Sequence, residues 1–196
     1  MRPGFLKRSN TLAFVLSIGA SLAVLGAVVA NPFVLDWRVI GFGTVTGTCE
    51  TTFGPACAST STGTVQGTHI GSGSYNLTLT AGSDGTSPTG SNATNSSGGR
   101  CLPANGTSMA SVAGTSVPVS NAITAANGDV IQFNTVGWLC EEGAPESSYH
   151  YNGTYRITSG TGRFSTVVGG GNLAATFEKG GVTNATFLKF DGTINF

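Results

Sequence analysis

Charge is scarce in this chain. Nine Lys and Arg and nine Asp and Glu are spread over 196 residues, and no basic run occurs outside the first ten positions. A surface that neutralises phosphates and releases their counterions needs many more cations, so nucleic-acid binding is excluded. Strong helix formers are thin as well, while Thr, Gly, Ser, Asn and Val dominate and 30 residues are Gly. A helical bundle is therefore excluded, and strands joined by tight turns are favoured. There is no Gly-x-Ser-x-Gly nucleophile elbow and no Gly-x-x-x-x-Gly-Lys phosphate loop, which leaves hydrolase and phosphate-loop chemistry without support. No two cysteines have C-x-x-C spacing, and neither His69 nor His150 sits near one, so no metal site is expected.

What is present begins with a leader. Arg2, Lys7 and Arg8 precede an apolar run over 12–30 that ends Ala27-Val28-Val29-Ala30. A charged start, an apolar middle and a small-residue ending predict a secretory signal peptide over 1–30, cut after Ala30. The alternative is an uncleaved membrane anchor, because about 19 apolar residues are just long enough to cross a bilayer. Either reading places 31–196 outside the cytoplasm, secreted or in the cell envelope. That part keeps six basic and nine acidic residues, a formal charge of −3, and is long enough for one core. It also holds all four cysteines, Cys49, Cys57, Cys101 and Cys140. An even number in an oxidising compartment predicts two disulfides. Three pairings are open, of which Cys49 with Cys57 is favoured, closing a short loop between neighbouring strands and leaving Cys101 with Cys140.

Residues alternate between apolar and polar over 37–48, 63–69, 74–80, 118–124, 130–139, 149–157, 172–178 and 186–196. In the sixth segment Tyr149, Tyr151, Tyr155 and Ile157 share one parity, against His150, Asn152, Thr154 and Arg156. The last sets Leu188, Phe190, Ile194 and Phe196 against Lys189, Asp191, Thr193 and Asn195. Strands with one dry and one wet face are predicted. Asn127-Gly128 between the fourth and fifth is the preferred pair of a type I′ hairpin, so those two should be antiparallel neighbours. Eight such strands form a sandwich or a barrel, and closure removes exposed edges. Residues 82–116 are almost wholly Gly, Ser, Thr, Asn and Pro, broken by Cys101, Leu102 and Met109. They predict a long polar loop tethered at Cys101.

The most specific pattern is Ser159-Gly160-Thr161-Gly162-Arg163-Phe164, which follows a Tyr-rich strand and leads into the Gly-rich Val167 to Leu173. This pattern resembles the allene oxide cyclase and dirigent barrel superfamily. With Gly67-Thr68-His69-Ile70-Gly71 earlier and Ala125-Ala126-Asn127-Gly128-Asp129 between, the chain is similar to uncharacterised secreted bacterial barrels of that type. The resemblance implies an all-β, eight-stranded, up-and-down antiparallel barrel. The catalytic acid and cavity residues of the plant enzymes have no matching motif, so none is carried over.

Candidate ligand-binding residues are few. His69 shares parity with Val65 and Gly67, which aims it into the barrel, where it meets the inward Tyr151 and Tyr155. Arg163 bridges to a rim carboxylate or holds an anionic ligand, and Phe164 drops inward as a plug. Glu141 and Glu142 face apart on a strand and read as rim charges rather than an acid/base pair. Asn-x-Ser/Thr sequons at Asn76, Asn92, Asn95, Asn105, Asn152 and Asn184 matter only in a host that glycosylates exported proteins. Two functions are expected: a noncatalytic extracellular structural or interaction module, or a barrel that binds a small apolar or aromatic ligand with cyclase, isomerase or dirigent-like activity. No cofactor is implied, and no membrane contact unless the leader is retained.

Overall fold

A computed structural model of the chain describes residues 34–49, 57–81, 93–94, 99–106, 121–142, 148–179 and 184–196. The leader expected at 1–30 and most of the polar loop lie outside them. Among the described residues there are ten strands: β1 (Leu35–Gly47), β2 (Ala58–Gly67), β3 (Gly71–Ala81), β4 (Ala93–Thr94), β5 (Arg100–Gly106), β6 (Ala122–Ala125), β7 (Val130–Glu142), β8 (Ser148–Gly160), β9 (Val168–Glu178) and β10 (Ala185–Asn195), with a 3-10 turn at Gly162–Phe164 before β9. Pairing runs β1–β2–β3, through β5 and β6 to β7, and on through β8, β9 and β10 back to β1, all antiparallel. β5 and β6 share one place in the wall, so the sheet closes as an eight-stranded up-and-down barrel.

The alternation read from the sequence becomes the two faces of this wall. Odd positions of β1, β2, β3, β7, β8 and β9 and even positions of β10 are buried, because a pleated strand sends successive side chains to opposite faces. Small barrels fill their own interior, and here Trp37, Leu77, Phe133, Tyr151, Leu173 and Phe190 do so. Several strands run a few residues beyond their expected bounds, and two differences have a plain side-chain cause. β2 starts at Ala58 rather than 63, because Ser59 and Ser61 are its inward residues and give no apolar signal. Phe196 lies past the end of β10, 48% exposed, instead of sharing the inner face with Ile194.

The expected loop over 82–116 is corrected at its centre. Arg100–Gly106 is wall, paired with β7 from Cys101↔Cys140 to Gly106↔Thr135. β6 continues the same line against β3 and β7, so β5 and β6 are two halves of one wall strand, separated in sequence by residues outside those described. Asn121 bridges the break in a left-handed conformation, φ 54°. Its side-chain carbonyl accepts the Thr78 N–H at 2.7 Å and its backbone carbonyl accepts the Phe133 N–H at 3.0 Å. A side-chain amide thus supplies a ladder acceptor where the strand is interrupted. Cys101 and Cys140, on outward positions directly opposite one another, are bonded with Cα atoms 4.0 Å apart. Cys49 and Cys57 join the end of β1 to the start of β2. Both pairings are those expected, and two disulfides suit an oxidising, extracellular compartment.

Candidate functional site

The three sequence blocks that carried the resemblance meet at one end of the barrel. Gly67 to Gly71 joins β2 to β3, Ala125 to Asp129 joins β6 to β7, and Gly160 to Phe164 leaves β8. Asn127 has no positive φ whereas Gly128 does, at 88°, so the hairpin is not the expected type I′. The Ala125 N–H reaches the Asp129 carbonyl at 2.8 Å and the Gly128 N–H the Ala125 carbonyl at 2.9 Å. This is a three-residue loop closed by a left-handed glycine, another common hairpin solution.

Arg163 ties the blocks together. Its Nε lies 3.7 Å from Asp129 Oδ2 and its guanidinium donates to the Ile70 carbonyl at 3.3 Å. Asp129 Oδ2 also accepts from the Arg163 N–H at 3.3 Å and from Asn127 Nδ2 at 2.7 Å. Val130 and Thr161 add a reciprocal pair, the Val130 N–H to Thr161 Oγ1 at 2.9 Å and the Thr161 N–H to the Val130 carbonyl at 2.8 Å. Gly162, at φ 55°, presses on the Asp129 carboxylate where a Cβ would collide, so both the turn and the contact need glycine. Phe164 is buried beneath, with the Arg163 guanidinium 4.7 Å from its ring centre and Phe196 stacked at 6.1 Å. Of the two readings of Arg163, the rim carboxylate is the one found.

His69 is corrected. The strand ends at Gly67, and His69 stands exposed at the tip of a three-residue turn with φ 64°. The Ile70 N–H reaches the Thr68 carbonyl at 2.8 Å across it, a γ-turn, and strand parity does not extend through such a turn. Its ring meets Phe196 edge-on at 6.2 Å. It does not join Tyr151 and Tyr155, and Arg163 is engaged at the rim, so the four candidates do not converge on one pocket.

All four tyrosines of the chain are buried inside the wall: Tyr75, Tyr149, Tyr151 and Tyr155. Glycines make room for two of them, since a Cβ at Gly43 or Gly153 would stand 2.5 Å from the Tyr75 or Tyr151 hydroxyl. The Tyr75 hydroxyl is 2.8 Å from Ser61 Oγ. Thr135 Oγ1 donates to the Thr154 carbonyl at 2.8 Å, so the Tyr151 hydroxyl, 2.7 Å away, donates to it. Tyr155 packs edge-to-face with Phe133 and Phe190 at 6.3 and 5.1 Å, worth about 0.5–1.5 kcal/mol per pair beyond burial. Its hydroxyl has no hydrogen-bond partner, and neither has Trp37 Nε1. Burial pushes the Tyr151 phenol up to about 12 and raises Tyr75 and Tyr155 as well, Asp191 adding to the rise at Tyr155. Among the described residues no carboxylate, imidazole, ammonium or guanidinium is buried. No group of three or more metal-ligating side chains occurs among them either.

Of the two expected rim charges, Glu142 is solvated on the outer face, 3.5 Å from His150, whereas Glu141 takes the inward parity of β7 at the barrel mouth, its side chain 15% exposed and 3.5 Å from Arg100. What the parity argument missed is on that outer face. Ile40, Phe42 and Phe187 are exposed there at 41, 58 and 42%, the two rings 5.1 Å apart. Their signal was present, since Ile40 and Phe42 fall on the wet parity of β1 and Phe187 on that of β10. Clefts of about 560 and 340 Å³ flank Ile40 and Phe42 beside β2 and β3, and one of about 190 Å³ lies between Phe42, Phe187 and Glu178. No family model matches the sequence, and comparison with curated proteins and with solved structures finds no match.

Proposed function

We propose that the protein is an exported, noncatalytic barrel module of the allene oxide cyclase and dirigent-like type, whose interior is packing and whose outer surface does its work. The observation that carries this reading is the chemistry of the interior. Among the described residues the fully buried polar side chains are hydroxyls, amides and an indole, while proton transfer near neutral pH needs a group titrating there. Phenols raised above 10 stay protonated and act as packing groups with polar tips. The inward rings interlock with one another and with glycines opposite, which supports a filled barrel over an open one.

One observation favours the second reading, a small-molecule-binding barrel with cyclase, isomerase or dirigent-like activity. The Tyr155 hydroxyl and Trp37 Nε1 are buried without partners, and a ligand oxygen reaching either of them would satisfy it. Thermal melts with a panel of small aromatic and fatty-acid-like compounds test the choice. The module reading expects no compound to move the melting temperature. A compound that raises it in wild type and fails to do so in Tyr155→Phe replaces the module with the ligand-binding barrel.

A further inference from the structure

We propose that the outer wall of β1 and β10 is a self-association surface, on which a second copy of the chain seats across a two-fold axis at the Phe42–Phe187 row. The inference concerns the outside of the barrel and stands whether or not the interior takes a ligand. Its first support is apolar. Phe42 and Phe187 are cross-strand partners, in ring contact and exposed, with Ile40 one outward position along β1. Large apolar side chains that touch one another on a water-facing wall mark an interaction site rather than scattered surface hydrophobicity.

The second support is charge placement, which selects a second copy over other occupants. The registers set Ile40↔Lys189 on one side of the Phe42↔Phe187 row, and Thr44↔Ala185↔Glu178 on the other. Lys189 and Glu178 both point outward and are exposed. An axis lying in the interface and crossing the strands at the Phe row reverses strand direction between copies. It places each Phe187 against its counterpart. It also carries Lys189 of each copy onto the Ala185–Glu178 corner of the other, forming the same ion pair twice, as an isologous interface requires. The cleft of about 190 Å³ lined by Phe42, Phe187, Ala185 and Glu178 receives the apolar stem of that lysine, while its ammonium meets the carboxylate at the rim. Asp191, 3.0 Å from Lys189, then shares the cation from its own chain.

Sedimentation velocity on the full chain, exported by a secretory host with both disulfides formed, tests this. A dimer is expected at about 100 µM, in the range where weak, standard-sized interfaces associate. Phe187→Asp is expected to raise its Kd about 30-fold. Lys189→Glu and Glu178→Lys are each expected to raise it about fivefold, and the Glu178→Lys/Lys189→Glu double variant to restore association to tighter than either single variant, because the exchange restores both pairs while Asp191 leaves a like charge beside position 189. These positions are exposed, so melting temperatures report that the variants remain folded. A wild-type chain that stays monomeric, a Phe187→Asp variant that dimerises like wild type, or a double exchange that fails to restore association overturns the proposal.

Discussion

The two ends of the barrel are fastened by different means. At one end the connections over 68–70, 126–129 and 161–167 are short, and they are held by hydrogen bonds, the Arg163–Asp129 bridge and the Phe164 plug. At the other end the chain leaves for ten residues between Gly47 and Ala58 and for longer between Ala81 and Arg100. Both disulfides sit there, one across the first connection and one pinning the strand that follows the second. Short turns place their own polar groups against neighbouring turns. At the other end covalent bonds fix the strands that flank the longer connections.

If that division holds, the largest single loss comes at the cross-linked end. Removing Cys101–Cys140 by a double Ser substitution frees a separation of 39 residues, against 8 for Cys49–Cys57. Loop-closure entropy then gives losses of about 4 and about 2.5 kcal/mol. Denaturant unfolding of the two double variants measures both, and equal losses would show that loop length does not set the ranking. Hydrogen exchange should report early opening in β5, with little change in the turn at 126–129.

Phe164→Ala probes the other end. Its ring is 1% exposed and packs with Arg163 and Phe196, so truncation leaves a cavity and costs about 3 kcal/mol or more. Exchange should rise first in the turns at 68–70 and 126–129 and leave Cys101 and Cys140 bonded. A loss below about 1 kcal/mol would mean that the ring covers the end without holding it.

Between the ends, Tyr151 and Tyr155 give a smaller contrast. Tyr151→Phe removes a hydrogen bond and is expected to destabilise by about 1 kcal/mol, while Tyr155→Phe removes a buried hydroxyl with no partner and is expected to be neutral or stabilising. The pH profile separates them from generic packing effects. A phenol whose folded pKa is raised keeps its proton after the unfolded one has lost its own, so its stabilisation is complete below pH 10 and is lost as pH climbs through about 12. For Tyr151 that loss reaches about 1.4 kcal/mol at pH 11. Tyr151→Phe should flatten the alkaline limb accordingly in urea titrations run at pH 9 and 11, and an unchanged slope would assign the alkaline loss to other groups.

Much of this was legible in the sequence because burial follows parity. Tyr149, Tyr151, Tyr155, Leu188 and Phe190 alternate cleanly and point inward. The cysteine pairing was the favoured one of three, from the short spacing of Cys49 and Cys57, and a rim carboxylate was one of the two partners open to Arg163. The misses share a physical cause, the absence or the doubling of the apolar signal. β5 hides because only Cys101, Leu102 and Ala104 are apolar in a stretch broken by Pro103, and its place in the wall is set by β7 and a disulfide. The first turn of β2 hides because Ser59 and Ser61 face inward. The outer patch hides because Trp37 and Val39 already satisfied the dry face of β1, leaving Ile40 and Phe42 unassigned. His69 was misplaced by carrying strand parity two residues past Gly67.

That residue supplies the smallest effect and a direct check on the hydrogen-bonded end. His69 holds φ 64° at the centre of a γ-turn, a conformation that strains residues with a Cβ. Its ring is exposed and meets Phe196 edge-on. The turn itself is anchored by its neighbours: Thr68 Oγ1 accepts the Arg38 N–H at 2.9 Å and donates to the Asp36 carbonyl at 3.1 Å, and the Ile70 carbonyl receives Arg163. Glycine at 69 keeps those anchors and removes the strain, though its unfolded chain has more freedom to lose. The expected net is a gain of about 0.5 kcal/mol for His69→Gly, and no gain for His69→Ala, which keeps a Cβ in the left-handed region. Thermal melts of both variants beside wild type separate backbone from ring. A gain for alanine as large as for glycine would place the liability in the ring rather than in the turn.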